Sequence, residues 1–171
     1  YIIITKIFWI LNNIVFQLYV GIAFDLIVIF GHLLKIKKEE NKHRSKIMKL
    51  EKARNELNMI LKSNLVKEKQ DTVMKYIPEL KNMVGFEQKH PHHHLDVWNH
   101  TLLVLENLNE SDDLELKMAG LLHDIGKPFS YQDEEVRHFH GHAEVSKDMS
   151  VKLLEKLEYS KEFIENVSYL V

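Results

Sequence analysis

A buried helix that ends in charged and metal-binding side chains is the feature that most constrains this sequence. Residues 119–128 are Ala-Gly-Leu-Leu-His-Asp-Ile-Gly-Lys-Pro. An apolar run is thus followed directly by His123 and Asp124, and the helix is expected to end at the Gly, Lys and Pro that come next. Burying an imidazole, a carboxylate and an ammonium group together is costly unless they are paired or bind a metal. We therefore interpret His123 and Asp124 as metal ligands.

The composition favours helices and leaves histidine as its anomaly. Of 171 residues only 6 are Gly and 3 are Pro, which disfavours a turn-rich β fold. The formal net charge of -2 gives no overall basic field for nucleic acid, and the absence of cysteine excludes disulfides and Cys-ligated zinc. Eleven residues are His, and nine of them lie between His90 and His142. This clustering indicates metal binding, because His is the commonest metal ligand.

The first part of the chain, residues 1–34, is strongly apolar. Its length suits a bilayer, and the basic residues that follow are those expected on the cytoplasmic side of a spanning helix. We predict a transmembrane helix that anchors a cytoplasmic catalytic domain. Asp25, near the middle of the run, counts against a lipid-exposed span. A pair of buried core helices, or sequence that is not natively part of the protein, are the alternatives. The basic residues are Lys35, Lys37, Lys38, Lys42, Arg44 and Lys46.

The remainder of the chain is predicted to consist of helices joined by loops, with long loops at residues 87–95 and 129–141. Residues 35–73 form a charged amphipathic connector helix, in which apolar residues recur at helical spacing from Ile47 to Leu61. From residue 74 onwards we expect a bundle of short helices. One should begin after an N-cap at Asp96 and one should begin near His142. Further helices are expected from Leu114 to Ile125, with Gly126 as a left-handed cap, and after an N-cap at Ser160.

Three of these helices each place histidine on the packed face or near an end. The residues concerned are His100, His123 with Asp124, and His142. Imidazoles and carboxylates on facing helices form the metal sites of helical bundles, and this donor set suits Mn, Ni, Co, Fe, Mg or Zn. A bound divalent ion makes water a nucleophile at neutral pH. Lys127 is predicted to contact a phosphate oxygen, so Asp124 and Lys127 are the candidate catalytic residues of a phosphoester hydrolase.

The other clustered histidines fall in two loops. A single inward-facing His is more often a hydrogen-bonded core residue than a metal ligand. Three helices each carry such a His here, and three unrelated core histidines are a less economical explanation than one shared metal site. The loop at residues 90–94 is expected to be solvated, with His93 as a possible contributor. His138 and His140 precede His142 and are candidates, with His93, for a second metal or for the substrate.

These motifs resemble the HD superfamily of metal-dependent phosphohydrolases. That family has a His, then a His-Asp pair, then a distal Asp, all on helices of one bundle. Residues 98–101 (Trp-Asn-His-Thr) are similar to the first element and residues 122–127 (Leu-His-Asp-Ile-Gly-Lys) to the second. Within the superfamily, the segments around these motifs resemble the HD domain of bacterial CCA-adding tRNA nucleotidyltransferases. The segments are residues 76–80, 84–88, 95–102 and 137–146.

The resemblance implies an all-α HD-domain helical bundle over residues 74–171 that hydrolyses a nucleotide, a cyclic nucleotide or an RNA phosphoester. The family's distal ligand is expected shortly after Val171, beyond the residues given. Residues 1–34 do not resemble a nucleotidyltransferase head, which carries Gly-Ser and paired Asp residues on a strand. Two alternatives remain: the neck and HD part of a CCA-adding enzyme, with tRNA as partner, or a non-catalytic HD sensor that binds a nucleotide.

Overall fold

The computed structural model describes residues 2–89, 94–132 and 137–171, without the side chain of Ile2. These ranges contain no β-strand; an isolated antiparallel bridge joins Gln132 and His138. The prediction of an all-α fold is confirmed. The α-helices are α1 (Ile2–Lys62), α2 (Gln70–Tyr76), α3 (Val97–Glu106), α4 (Leu114–Leu122), α5 (His142–Lys156) and α6 (Lys161–Leu170), and Pro78–Met83 and Lys127–Phe129 are 3-10 helices.

The chain divides into two compact units, Tyr1–Met48 and Lys49–Val171. Within the first unit, α1 is long and apolar enough to cross a membrane by length and composition, and its apolar window is fully exposed. This exposure argues against the alternative of a buried pair of core helices, although a long apolar helix by itself is weak evidence for a membrane span. The hydrophobic N-terminal segment is thus observed, and its insertion in a membrane stays a prediction.

One apolar core fills the second unit. Trp98, which the sequence placed in the core, is 2% exposed, and its Nε1 donates to Gln70 Oε1 at 3.1 Å. The predicted stripe on α1 is only partly correct, because Leu57 and Leu61 are buried whereas Ile47 is exposed. Other core residues come from each later α-helix: Val73, Leu102, Leu105, Met118, Leu121, Leu122, Leu153, Leu154 and Val167.

Two predicted N-caps are present and set where the helices of the bundle begin. Asp96 Oδ1 accepts from the backbone N–H of Asn99 at 2.7 Å, and its Oδ2 accepts from Gly85 N–H at 2.8 Å. Ser160 Oγ accepts from Phe163 N–H at 3.2 Å at the start of α6. Such caps satisfy backbone donors that the helix itself leaves unpaired. The Asp96 cap also ties α3, which carries His100, to the preceding turn.

The helix that carries the His-Asp pair ends earlier than the sequence predicted. α4 stops at Leu122 rather than Ile125, and residues 123–126 form a turn. Gly126 has φ -81°, so the predicted left-handed cap is wrong. A Cβ at this position would lie 2.6 Å from Ser146 N and 2.7 Å from His142 O. Close approach of the turn to the backbone of α5, and not a left-handed conformation, is the physical reason for a glycine here.

Candidate metal centre

Asp124 lies at the centre of a group of imidazoles that come from separate parts of the fold. The Nε2 atoms of His123 and His100 lie 3.1 and 3.6 Å from its Oδ2, and His142 Nε2 lies 3.7 Å from its Oδ1. His100 belongs to α3, His123 and Asp124 to the turn after α4, and His142 is the first residue of α5. The fold therefore brings together all four residues that the sequence predicted as ligands.

Three of the four lie close enough together to be candidate ligands of a single ion. One potential ligand atom from each of His100, His123 and Asp124 lies within 4.8 Å of the others. Donors bound at about 2.0–2.2 Å are at most about 4.4 Å apart, so the group is within a fraction of an ångström of ion-binding spacing. His142 faces the other oxygen of the same carboxylate and would be a further candidate ligand. The assignment of all four as ligands stays a prediction.

Backbone carbonyls orient two of the imidazoles. His123 Nδ1 lies 2.9 Å from Gly120 O, and His142 Nδ1 lies 2.7 Å from Phe139 O. A carbonyl oxygen only accepts, so in each ring Nδ1 carries the hydrogen and, in the neutral imidazole, the lone pair is on Nε2. In both residues Nε2 is the atom that faces Asp124. This is how metal-binding histidines are commonly held, so the donor set fits a divalent ion.

Burial and pairing have opposite effects on the pKa values of the His-Asp pair. Burial alone would raise the pKa of Asp124, but His123 and Lys127 beside its carboxylate outweigh burial and hold the pKa well below its usual range. Burial likewise lowers the pKa of His123, yet the neighbouring carboxylate raises it above its ordinary value overall. Asp124 is therefore ionised at neutral pH, which is the form that binds a cation.

Lys127 lies inside the site with its ammonium group against Asp124. Its Nζ is 2.8 Å from Asp124 Oδ2 and 2.9 Å from Gln88 Oε1, and it lies 5.4 Å from the centre of the Phe139 ring. The geometry makes Lys127 the counter-ion of Asp124. Its predicted contact with phosphate stays a prediction.

Gln88 is a member of this site that reasoning from the residues missed. It is 2% exposed, its Nε2 donates to Leu95 O at 3.2 Å, and its Oε1 accepts from Lys127. A polar residue in a loop carries no periodicity that would mark it as buried. Its only signal was its place in the segment 84–88, which resembles the CCA-adding enzymes.

Replacing Gln88 by leucine is expected to lower the free energy of unfolding by about 1–3 kcal/mol, because the buried Lys127 ammonium loses its neutral acceptor. Urea denaturation followed by circular dichroism measures the change. Gln132→Leu is the matched control, since the Gln132 side chain is exposed and its loss should cost less than about 0.5 kcal/mol. Equal effects of the two substitutions would show that Gln88 does not support Lys127.

Backbone contacts fasten the His-Asp turn to α5. Gly126 N–H donates to Ser146 Oγ at 2.9 Å, and Ser146 is fully buried. Gly126 O accepts from Ser130 Oγ, also at 2.9 Å. Because Ser146 lies one helical turn after His142, the hydrogen bond from Gly126 to Ser146 fixes the position of His142 relative to Asp124.

The remaining candidate histidines lie elsewhere. His138 and His140 are exposed, and their rings stack on each other with centroids 5.5 Å apart. They do not belong to the compact group formed by His100, His123 and Asp124. Their proposed role toward a second metal or the substrate stays a prediction. His93 lies outside the described residues.

Comparison with known proteins confirms the resemblance seen in the sequence. The family model of the HD domain matches residues 92–171. A CC-adding tRNA nucleotidyltransferase of Thermus thermophilus is 40% identical over 102 residues, which is 56% of this chain and 23% of that protein. An A-adding tRNA nucleotidyltransferase of Deinococcus radiodurans is 35% identical over 101 residues, 56% of this chain and 23% of that protein.

A further relative is the multifunctional CCA protein of Hahella chejuensis, 35% identical over 92 residues, 52% of this chain and 21% of that protein. The matched part of this chain thus spans less than a quarter of the length of these relatives. No solved structure is significantly similar to the chain.

Proposed function

Because residues 92–171 match the HD domain family, we propose that this domain is a metal-dependent phosphohydrolase acting on a nucleotide, a cyclic nucleotide or an RNA phosphoester. The observation that carries the proposal is the convergence of His100, His123 and Asp124 within 4.8 Å. The ion pair of Asp124 with Lys127 gives little reason by itself to bury a carboxylate flanked by imidazoles, because replacing a buried ion pair by apolar groups is often neutral or stabilising.

Each residue has a role that follows from its position. His100, His123 and Asp124 would hold the ion. His142, whose Nε2 faces the second oxygen of Asp124, would be the fourth ligand residue. The ion would supply Lewis-acid charge and activate water for attack at phosphorus. Lys127 keeps Asp124 ionised and in place, and its ammonium group would be available to a phosphate oxygen of the substrate. No side-chain nucleophile is required.

The proposal predicts metal-dependent activity that disappears on chelation. The chain, loaded with Mn²⁺ or Ni²⁺, is expected to hydrolyse bis-para-nitrophenyl phosphate and a cyclic nucleotide, to lose that activity in EDTA and to recover it when the metal is restored. Bound metal is measured by isothermal titration calorimetry and elemental analysis.

His123→Ala should remove both metal and activity. The matched control is His138→Ala, since His138 is an exposed histidine outside the compact group and should leave both unchanged. An inert wild-type protein whose metal content does not respond to His123→Ala would contradict the proposal.

The relatives favour a second candidate function. Their names describe enzymes that add nucleotides to tRNA, so the domain could instead contact tRNA as part of such an enzyme. Gel-shift titration with a tRNA lacking its CCA end distinguishes the tRNA-contacting function from the phosphohydrolase function. Binding of tRNA by a domain that hydrolyses no phosphoester would favour the second candidate, and metal-dependent hydrolysis without tRNA binding would favour the first.

The role of Lys127 can be decided within the same assay. If Lys127 contacts the substrate phosphate as well as Asp124, Lys127→Met should raise KM even at saturating metal. If it acts only on Asp124, the substitution should change metal affinity and leave KM at saturating metal unaltered.

A further inference from the structure

The apolar part of α1 carries a polar stripe that neither the HD domain nor its proposed chemistry uses. Asn13, Gln17, Gly21 and Asp25 recur at every fourth residue. Side chains four residues apart lie on the same face of a helix, so these positions form one continuous line along α1. His32 lies seven residues after Asp25 and extends the line. We call these five residues the polar stripe.

The opposite face of the apolar part of α1 carries mainly large apolar side chains. Its large side chains are extensively exposed, as Phe8 at 66% and Leu26 at 61% illustrate. Two polar residues, Thr5 and Asn12, also lie on this opposite face, in the N-terminal third of the apolar run. The residues of this apolar face are Phe8, Val15, Tyr19, Ile22, Leu26 and Phe30.

The hydrocarbon of a bilayer is a favourable environment for the apolar face of α1, but it leaves the polar stripe without hydrogen-bond partners. Lipid tails offer no hydrogen-bond partner to an amide or a carboxyl group, so polar side chains in spanning helices face other protein segments. None of the described residues places an atom within 4 Å of the position that a Cβ would take at Gly21, which leaves room for close approach of another helix. We propose that α1 spans a lipid bilayer and that its polar stripe pairs with the same stripe of a second copy of this chain.

The basic residues after the stripe determine the orientation of that pair. Lys35, Lys37, Lys38, Lys42, Arg44 and Lys46 all lie on one side of the apolar run and are all exposed. A band of this kind stays on the cytoplasmic side of the membrane in every copy. Two copies therefore lie parallel, and each residue of the stripe faces its own counterpart across a two-fold axis.

The chemistry of the stripe suits this self-pairing. The amides of Asn13 and Gln17 both donate and accept hydrogen bonds, so two identical amides can satisfy each other. Gly21 lets the two backbones approach between the polar positions. A partner of a different sequence is not needed to satisfy any of these groups.

Cysteine scanning of the full chain in native-like membranes tests the proposal, because the chain has no cysteine of its own. Single substitutions Asn13→Cys, Gln17→Cys and Gly21→Cys are expected to give disulfide-linked dimers on mild oxidation. Val15→Cys, Tyr19→Cys and Leu26→Cys, on the opposite face, are expected to stay monomeric. Extraction of the vesicles with alkaline carbonate is the first measurement, and the protein should stay in the membrane pellet.

Loss of a single amide should also weaken the association. Gln17→Leu is expected to raise the dissociation constant of the dimer about tenfold, measured by energy transfer between labelled copies in detergent micelles. The control is Tyr19→Leu, a change of similar size on the opposite face, which should leave the constant unaltered.

The results separate insertion from pairing. Release by carbonate would overturn the whole proposal. Retention in the membrane with equal cross-linking on both faces, or with none, would overturn the pairing with a second copy. Neither outcome bears on the phosphohydrolase proposal, which is tested by metal and substrate alone.

Discussion

Replacing Asp124 by alanine is expected to abolish divalent-metal binding and to lower the free energy of unfolding by about 3–5 kcal/mol. Asp124 is 2% and Lys127 is 7% exposed, so the substitution leaves a buried ammonium group without its carboxylate. The loss of metal affinity should exceed the roughly 10–100-fold that the loss of an outer-shell partner causes, because a ligand itself is removed. Calorimetry with Ni²⁺ and urea denaturation measure the two effects.

A double variant separates stability from metal binding. Adding Lys127→Met to Asp124→Ala removes the stranded charge, and replacing a buried ion pair by apolar groups is often neutral for stability. The double variant should therefore recover most of the lost stability and still bind no metal. Metal binding by Asp124→Ala at wild-type affinity would refute the assignment of Asp124 as the central ligand.

The second large effect is expected at Gly126. In Gly126→Ala the new Cβ would lie 2.6 Å from Ser146 N, 2.7 Å from His142 O and 2.8 Å from Ser146 Oγ. Two of these atoms belong to the backbone of α5, so the turn and the helix must separate. Overpacking of this kind costs about 1–3 kcal/mol or more, and we expect the upper end together with loss of hydrolysis, since His142 moves away from Asp124.

Gly120→Ala is the matched control. Its Cβ would meet only side-chain carbons of Leu105, Leu108 and Val104, the nearest at 3.3 Å, and these flexible ends can move. The higher helix propensity of alanine offsets the tight contact, so stability should change by less than about 1 kcal/mol. Thermal denaturation and the phosphodiester assay report both variants. If Gly126→Ala were as stable and active as Gly120→Ala, the close approach of the turn to α5 would not be essential.

Ser146→Ala probes the same junction without a clash. It removes the oxygen that accepts from Gly126 N–H and leaves that buried donor unpaired. The cost should be about 1–3 kcal/mol, and the backbone should keep its path. Activity retained in Ser146→Ala but lost in Gly126→Ala would show that activity depends on the position of the His-Asp turn relative to α5, and not on the hydrogen bond between Gly126 and Ser146.

Local sequence patterns were sufficient to predict the helices of the bundle and several of their ends. Asp96 and Ser160 cap helices as predicted, because capping depends on a side chain and a backbone N–H three residues away. Because such patterns report only on neighbouring residues, they predicted the wrong end for α4, Ile125 in place of Leu122. Its end at Leu122 depends on α5, which lies too far along the chain for any local pattern to report.

The sequence by itself determined the all-α class, the apolar N-terminal helix and the residue types of the metal centre. It did so through periodicity, capping and the spacing of His and Asp, which act over a few residues. Only the tertiary structure decided that His100, His123 and His142 meet at one carboxylate, that Gln88 holds Lys127, and that Gly126 is required by contact with α5. These facts depend on which distant segments pack together, because buried charges and close backbone contacts are satisfied across the fold and not along the chain.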